Sequence, residues 1–384
     1  MNALPTIYWL TPDRFDLKHD KSSWLEMAKN LRTRGWTVYV VSSASGHLPR
    51  KSRPHTDIVQ YVEAIDWPYL FKVSALLSGV IHICMRHNRG DIALINEDSL
   101  WFAPLFKLLG MKVHLDIRTI PVWKSGLKQR INQLAFWKLP ISLMRRFADS
   151  FSFITNRLLD QMTLEFGDFP NVFCIWQSGV NTKLFSPQSS VPQSNNDLLI
   201  LFYHGSMLQT RGLETVLEAL SKPLPFALEF RILGDDESRP ALETKVRALG
   251  LESIVKFLGF VPYDSVACEL NKSDVCICPL PDRIEWNVSC PLKVLEYMAC
   301  EKPIVLTPIP AHTDIAEHLE SISWSTGHTP EEFTQAIITA HENLKEMAHA
   351  AAQGRQFVMR NFEWKHQADV LNKLLADQHG NRLP

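Results

Sequence analysis

Apolar positions along the chain fall in short runs separated by amphipathic stretches. Residues 6–10 form an apolar, β-rich run. Trp24, Leu25, Ala28 and Leu31 then recur at helical spacing, Gly35 follows as a helix stop, and residues 38–41 form a second apolar run. Strand, helix and strand within about 40 residues make a βαβ unit and predict a parallel sheet. Further strands are predicted at 58–62, 92–96, 111–117, 151–155 and 172–176, with a helix over 157–166. The rhythm resumes with strands at 198–203, 227–233, 255–258, 275–280 and 304–307 and helices at 211–219, 242–249 and 266–270. A last helix is predicted over 362–375. Between the two runs, residues 188–196 are rich in Ser, Pro, Gln and Asn and have little to bury, as a linker does. The expected organisation is an N-terminal domain (1–187), a C-terminal domain (188–360) and a closing segment (361–384) that crosses back to the first domain. The fold class is α/β, with two facing Rossmann-like domains, parallel sheets and an interdomain cleft.

Residues 288–305 read as a loop, a helix opening at Pro291, a stop at Pro303 and a buried strand. Proline suits the first helical position because its missing N–H has no partner there anyway. Leu292, Leu295, Met298 and Ala299 make one apolar stripe, and Lys293 and Glu296 lie one turn apart on another face. The free N–H groups expected within residues 289–292, the helix dipole and the Lys293 ammonium converge, as at a phosphate site. Glu296 is placed to accept from sugar hydroxyls. A plain Lys–Glu pair on a helix packed against a sheet fits the same stretch equally well.

Composition narrows the function. The 384 residues exceed one compact core, so two domains are expected; 46 % apolar and 21 % charged residues suit a soluble globular chain. A net charge of −1 argues against a general nucleic-acid binder. The seven cysteines include no CxxC pair, and Cys276 and Cys278 alternate along a strand as buried thiols. A reducing, cytoplasmic compartment fits best. The N-terminus has no basic region ahead of an apolar stretch, so no signal peptide is expected. No run is long enough to span a bilayer; the most apolar, residues 73–85, is too short and contains His82.

In such folds ligands lie beyond the carboxyl ends of the strands. The loop 11–23 holds Asp13, Arg14, His19, Asp20 and Lys21 but no glycine, so a GxGxxG fingerprint is absent and a nicotinamide or flavin enzyme is disfavoured. Asp116 and Arg118 sit at a strand's carboxyl end, either as an acceptor-side or transition-state charge contact or as an ion pair anchoring a loop. Gly205 lets backbone approach a ligand, and Arg211, near a helix start that disfavours cations, offers charge to a phosphate. Residues 123–146 carry Lys124, Lys128, Arg130, Lys138, Arg145 and Arg146 without an acid, together with Trp123, Leu127, Ile131, Leu134, Phe136 and Trp137. That pattern fits a helix in an anionic membrane interface, or a solvated helix packed on its own domain.

The ordered set of motifs resembles the family 4 glycosyltransferases, which have the GT-B fold. Ser178-Gly-Val-Asn-Thr-Lys-Leu-Phe-Ser-Pro187 is similar to the family's segment before the linker, and Gly205-Ser206 with Arg211-Gly212 to its phosphate loop. Gly234-Asp-Asp, Val255-Lys-Phe-Leu-Gly-Phe-Val-Pro262 and Ser273-Asp-Val-Cys-Ile-Cys-Pro279 follow in the family's order. Pro291-Leu-Lys-Val-Leu-Glu-Tyr-Met-Ala299 with Lys302-Pro-Ile-Val305 resembles its donor-site helix, and Phe362-Glu-Trp364 the start of its crossing helix. The resemblance covers nearly the whole chain and is strongest from about 175 to 310. It implies a UDP- or GDP-type sugar donor on the C-terminal domain and a glycan or lipid-linked acceptor on the N-terminal domain. It further implies retention of configuration, no cofactor or metal, and bacterial surface polysaccharide assembly; the basic run 123–146 adds an expected docking on the cytoplasmic face of the membrane. Arg211 and Lys293 would neutralise the diphosphate, while Arg118 stays a catalytic candidate from its place at a strand's carboxyl end. Gly205, Ser206 and the amides of Ser289, Cys290 and Leu292 would cradle it. Glu296 would hold the ribose, and Phe260 and Val261 would border the base.

Several positions depart from the family. The first of its two motif glutamates falls on Val288, so sugar recognition shifts to Asp282, Glu285 or Asn287. The Gly-rich loop of the first domain is replaced by residues 19–22, a His-Asp pair by Arg118-Thr119, and the phosphate-loop arginine by Ser206. Glu301 replaces the glycine that ends the donor-site helix. A left-handed glutamate would cost about 1–2 kcal/mol, which predicts a different helix ending. Val288 and Arg118-Thr119 also fit a non-catalytic GT-B-like partner in a glycan assembly complex.

Overall fold

A computed structural model of the chain describes residues 4–15, 22–44, 53–67, 70–122, 126–188 and 198–379. It comprises two units, residues 1–177 with 364–384, and residues 178–363.

The first unit carries a seven-stranded, all-parallel sheet in the order β3-β2-β1-β4-β5-β6-β7. Its strands are β1 (Thr6–Arg14), β2 (Thr37–Ser43), β3 (Val59–Val62), β4 (Ile92–Ile95), β5 (Lys112–Ile117), β6 (Ser150–Phe153) and β7 (Phe173–Ile175). Its helices are α1 (Ser22–Arg32), α2 (Phe71–Cys84), α3 (Ala103–Leu108), α4 (Leu127–Gln133), α5 (Leu139–Met144) and α6 (Asn156–Phe166). Runs such as Ile-Ala-Leu-Ile in β4 are apolar at every position because both faces of a parallel sheet are covered by helices. Thr155 opens α6 by accepting 3.1 Å from the Leu158 amide. β1 runs four residues past the predicted end; Phe15 N donates to Ser43 O at 3.0 Å, so strand pairing claims the start of the expected loop.

Residues 134–138 between α4 and α5 form a π-helical turn. It turns Trp137, expected on the lipid-facing surface, into the core, where it is 1 % exposed and edge-on to Phe166. Leu127, Ile131 and Leu134 do face outward. Arg145 donates to the carbonyls of Phe166 and Gly167, and Lys138 lies 3.4 Å from Glu165. Those two cations of the basic run therefore have protein partners. Trp123 and Lys124 lie outside the described residues.

The second unit carries a six-stranded parallel sheet in the order β10-β9-β8-β11-β12-β13. Its strands are β8 (Leu198–His204), β9 (Ala227–Leu233), β10 (Val255–Gly259), β11 (Val275–Cys278), β12 (Ile304–Leu306) and β13 (Ile322–Trp324). The helices are α7 (Leu213–Leu220), α8 (Arg239–Ala248), α9 (Tyr263–Asn271), α10 (Ile284–Asn287), α11 (Leu292–Ala299), α12 (Pro310–Ala316), α13 (Pro330–Glu342) and α14 (Leu344–Asn361). Val-Cys-Ile-Cys of β11 is buried throughout, as its pattern predicts. Thr329 and Glu332 make a capping box at the start of α13. The final helix, α15 (Trp364–Gln378), belongs to the first unit; it packs on α1, and Asn372 accepts 2.7 Å from the Trp36 indole.

The division between units falls at 177/178, before the predicted linker, because residues 178–187 are pinned to the second unit. Ser178 Oγ donates 2.7 Å to Cys290 O, Val180 N donates 2.7 Å to Phe362 O, and buried Phe185 packs on Tyr263.

Candidate functional site

Three glycine positions shape the carboxyl end of the second sheet. After β8 the chain turns at Gly205 (φ 114°), whose amide donates 2.9 Å to Leu233 O. A Cβ on Gly234 would come 2.3 Å from Gly205 O, so the ends of β8 and β9 press together as only glycine allows. Gly212, at φ 81°, starts α7; a Cβ there would lie 1.9 Å from Pro279 O. Asp236 ties the loop down by accepting from Ser206 Oγ at 2.9 Å and from Met207 N at 2.6 Å. The Ser206 hydroxyl is thereby committed to the loop.

Two cations converge beside this turn. The Arg211 guanidinium stacks on the Trp286 ring at 4.0 Å, and its buried Nε has no hydrogen-bond partner. Lys293 Nζ is buried 3.8 Å from the Tyr203 ring centroid, also without a partner. A Cβ on Gly205 would sit 3.2 Å from that nitrogen, so the ammonium underlies the glycine turn. Burial pushes the Lys293 ammonium down to about 7; Arg211 adds to this, while Cys278 and Glu296 oppose it. A buried charge without a counter-ion is costly, and an anion in this pocket relieves that cost.

The following helix begins one residue later than its pattern predicts. Pro291 is the N-cap, with φ −73° and ψ 102°, and α11 runs from Leu292. Of the N–H groups expected to be free within residues 289–292, Ser289 N donates 3.1 Å to Trp286 O, and Pro291 has none to offer. Cys290 O accepts from Ser178. First-turn amides of Leu292 and Lys293 remain directed out of the helix start.

The helix ends with the geometry expected for glycine. Glu301 adopts φ 54°, Lys302 N donates 3.1 Å to Tyr297 O, and Glu301 N donates 3.0 Å to Met298 O. The prediction of a different ending fails because Arg355 offsets the strain: its guanidinium donates to Ala299 O and lies 3.8 Å from the Glu301 carboxylate.

Glu296 is 1 % exposed. Its Oε1 accepts from the Tyr263 hydroxyl at 2.7 Å. Its Oε2 lies 3.0 Å from His204 Nε2, yet neither atom has a hydrogen-bonded partner, so the pair is in contact without alignment. Phe260 is exposed and Val261 half-buried in the link from β10 to α9. Val288 is buried in the core and presents no polar group. Asp282 accepts 2.6 Å from Asn287, and Glu285 pairs with Arg283 at 2.7 Å. Asn287 Oδ1 is buried without a partner.

Asp116 and Arg118 belong to the first unit. Arg118 stacks on Trp176 at 3.4 Å and donates to the Trp176 carbonyl. Burial raises the Asp116 carboxyl to about 6, against the pull of Arg118 and the Ser152 hydroxyl, which donates to it. Nearby His114 bonds Ser150 at 2.7 Å and Ser152 at 2.8 Å, and burial lowers its imidazole to about 3. Asp20 lies outside the described residues.

Sequence reasoning missed His204, Tyr263, Trp286 and Tyr203. His204 carried a signal, since it precedes a glycine at a strand's carboxyl end; the others are brought in by packing alone. It also missed Glu97, just past β4, whose carboxyl is raised to about 8 by burial and by Asp98, with Lys72 opposing.

Residues 199–343 match the family model of group 1 glycosyl transferases. Over 207 residues the chain is 27 % identical to WcaL of Escherichia coli K12, a glycosyltransferase by name with an assignment to colanic acid biosynthesis. That alignment covers 52 % of this chain and 48 % of the relative. An uncharacterized glycosyltransferase of Methanocaldococcus jannaschii is 22 % identical over 192 residues, 49 % of this chain and 46 % of the relative. The chain thus spans about half the length of the curated relatives it matches. Among solved structures it is similar to sucrose-phosphate synthase of Thermosynechococcus elongatus (TM-score 0.81, 15 % identity, 99 % of this chain and 100 % of that one). It is also similar to Anabaena HepE in complex with UDP-glucose (TM-score 0.74, 17 % identity, 98 % and 100 %). A third is WaaG, a glycosyltransferase involved in lipopolysaccharide biosynthesis (TM-score 0.69, 13 % identity, 97 % and 99 %). At these identities the likeness is one of fold, and the fold is GT-B.

Proposed function

We propose that the protein is a glycosyltransferase that moves a sugar from a nucleoside-diphosphate donor to a glycan or lipid-linked acceptor in polysaccharide assembly. The carrying observation is the convergence of two cations beside the Gly205 turn: Lys293, whose buried Nζ has no hydrogen-bond partner, and half-buried Arg211, whose Nε has none. Cleaving a sugar–phosphate bond places negative charge on the leaving diphosphate. Prepositioned cations and amide dipoles stabilise that charge in the transition state without reorganising. In this role Arg211 and Lys293 substitute for a divalent ion, and turnover in excess chelator tests that point. Glu296 holds the donor ribose, with Tyr263 fixing one of its oxygens, and Phe260 and Val261 border the base.

The donor is of the UDP type; HepE, a relative in fold, binds UDP and UDP-glucose. The anomeric configuration is retained in this proposal, and proton NMR of the first product formed tests it. The basic helical run of residues 126–146 brings the protein to the cytoplasmic face of a membrane, where a lipid-linked acceptor would lie.

Melting the protein with UDP, GDP and dTDP, followed by turnover assays with the matching sugar donors, tests the main proposal. Stabilisation by one nucleotide, abolished together with turnover in Lys293→Ala, is expected. No stabilisation by any nucleotide would remove it. A specific observation keeps a second reading alive: Val288 removes a carboxylate from the place where the resemblance puts donor-sugar recognition. A non-catalytic partner would bind nucleotide yet turn over no donor.

A further inference from the structure

We propose that the outer face of α2, in the first unit, is a docking surface for an anionic lipid bilayer. The strand order and right-handed crossovers place α1 on one side of the first sheet and α2, α3 and α5 on the other. α2 is pressed hard onto the sheet: a Cβ on Gly79 would lie 2.4 Å from the Leu10 side chain. Ala75, Leu76, Val80 and Ile83 are buried on that inner side. The opposite side is therefore fixed outward, and it is apolar. Val73, Leu77, Ile81 and Met85 recur every fourth residue along it and are between 43 % and 70 % exposed. An ordinary surface helix carries polar residues on that stripe.

Charge identifies the occupant. Residues 67–148 hold twelve Lys and Arg against four Asp and Glu, a balance of +8 in a chain whose total is −1. Part of that charge is met within the unit, since Asp149, the next residue, lies 2.6 Å from Lys107 and Glu165 lies 3.4 Å from Lys138. Asp91 and Asp116 are buried, Asp98 lies 2.7 Å from Lys72, and Glu97 is raised by burial toward its neutral form. Residues 67–90, which contain α2, have no acid at all and carry Lys72, Arg86 and Arg89. The surface continues into the second basic run, since Lys72 Nζ lies 5.6 Å from the Phe136 ring centroid and Trp101 Nε1 donates 2.8 Å to Ala135 O. An apolar stripe rimmed by cations suits acyl chains flanked by anionic headgroups. No helix among the described residues is long and apolar enough to cross a membrane, so the contact is interfacial.

The proposal is independent of nucleotide binding. Its test is flotation of the full chain with phosphatidylcholine vesicles, with and without phosphatidylglycerol. Wild-type protein is expected to float with phosphatidylglycerol and to be released by salt, and Leu77→Asp with Ile81→Asp to lower partitioning about tenfold or more. An unchanged melting temperature shows that the double variant is folded. Should it not fold, Arg86→Glu carries the test by reducing the salt-dependent binding. Negligible wild-type flotation with both vesicles, or undiminished flotation of the folded variant, overturns the proposal. So does a wild-type dimer that the double variant splits without any change in flotation, which would assign the face to a second copy.

Discussion

The Arg211 guanidinium lies 4.0 Å over the Trp286 ring, and the Trp286 Nε1 donates 2.8 Å to Thr210 O, the residue before the arginine. The indole thus holds both the backbone and the charge of Arg211. Trp286→Ala is expected to weaken nucleotide-diphosphate binding by about 5- to 30-fold, the loss of about 1–2 kcal/mol. Trp286→Phe, which keeps the ring but not the hydrogen bond, is expected to lose less. Calorimetry on both variants checks the order.

On the proposed function, Lys293 is expected to make nucleotide binding depend on pH. Its folded value is depressed to about 7 from 10.5, chiefly by burial, so the unliganded protein holds it partly neutral near pH 7. The sign follows: this group's contribution to stability is present above 10.5 and lost as pH falls toward 7. A bound diphosphate favours the charged form instead. Nucleotide binding at pH 8 is therefore expected to take up a proton, and affinity to fall by up to about tenfold per pH unit above 7. Calorimetry in buffers of different ionisation enthalpy measures the uptake, and Lys293→Arg is expected to abolish it.

On the proposed function, Glu296 and Tyr263 are expected to set the preference for ribose. Glu296 Oε1 is held by the Tyr263 hydroxyl at 2.7 Å, whereas Oε2 has no aligned donor. UDP is expected to bind about tenfold more tightly than 2′-deoxy-UDP, one charge-assisted hydrogen bond's worth. Glu296→Gln is expected to remove most of that difference. Equal discrimination in the variant would move the ribose elsewhere.

Gly212→Ala is expected to destabilise the fold by about 2–4 kcal/mol, because a left-handed backbone and a clash with Pro279 O add together. Urea unfolding of the variant measures it.

Two buried imidazoles are expected to lower stability in acid. His114 lies at about 3 and His312 at about 4, both depressed from 6.5 by burial. Their contribution is present above pH 6.5 and lost as pH falls toward 4 and 3, at up to about 1.4 kcal/mol per unit for each. Asp116, raised from 3.8 to about 6, acts oppositely: its contribution is full below 3.8 and lost as pH rises through 6. His114→Gln is expected to flatten the acid limb of a stability profile measured by urea unfolding.

Repetition made the architecture legible without coordinates. Continuous apolar runs such as residues 92–95 and 275–278, bounded by turn residues, read as strands covered on both faces, and amphipathic helices between them pointed to parallel sheets. The glycines and the Lys293–Glu296 spacing marked the second unit's ligand side, because the demand for positive φ and helical phase are properties of a few consecutive residues. What local sequence left open was partnership. Whether the Ser289 amide was free, whether Trp137 faced outward and whether Glu301 tolerated a left-handed backbone were decided by Trp286, Phe166 and Arg355. Those partners come from other turns and helices, some far along the chain. A hydrogen bond, a stacked ring or a buried charge depends on distances of a few ångströms, and only the packed chain sets these. The sequence thus determined which groups were available, and tertiary structure decided that Lys293 Nζ and Arg211 Nε would be left without hydrogen-bond partners.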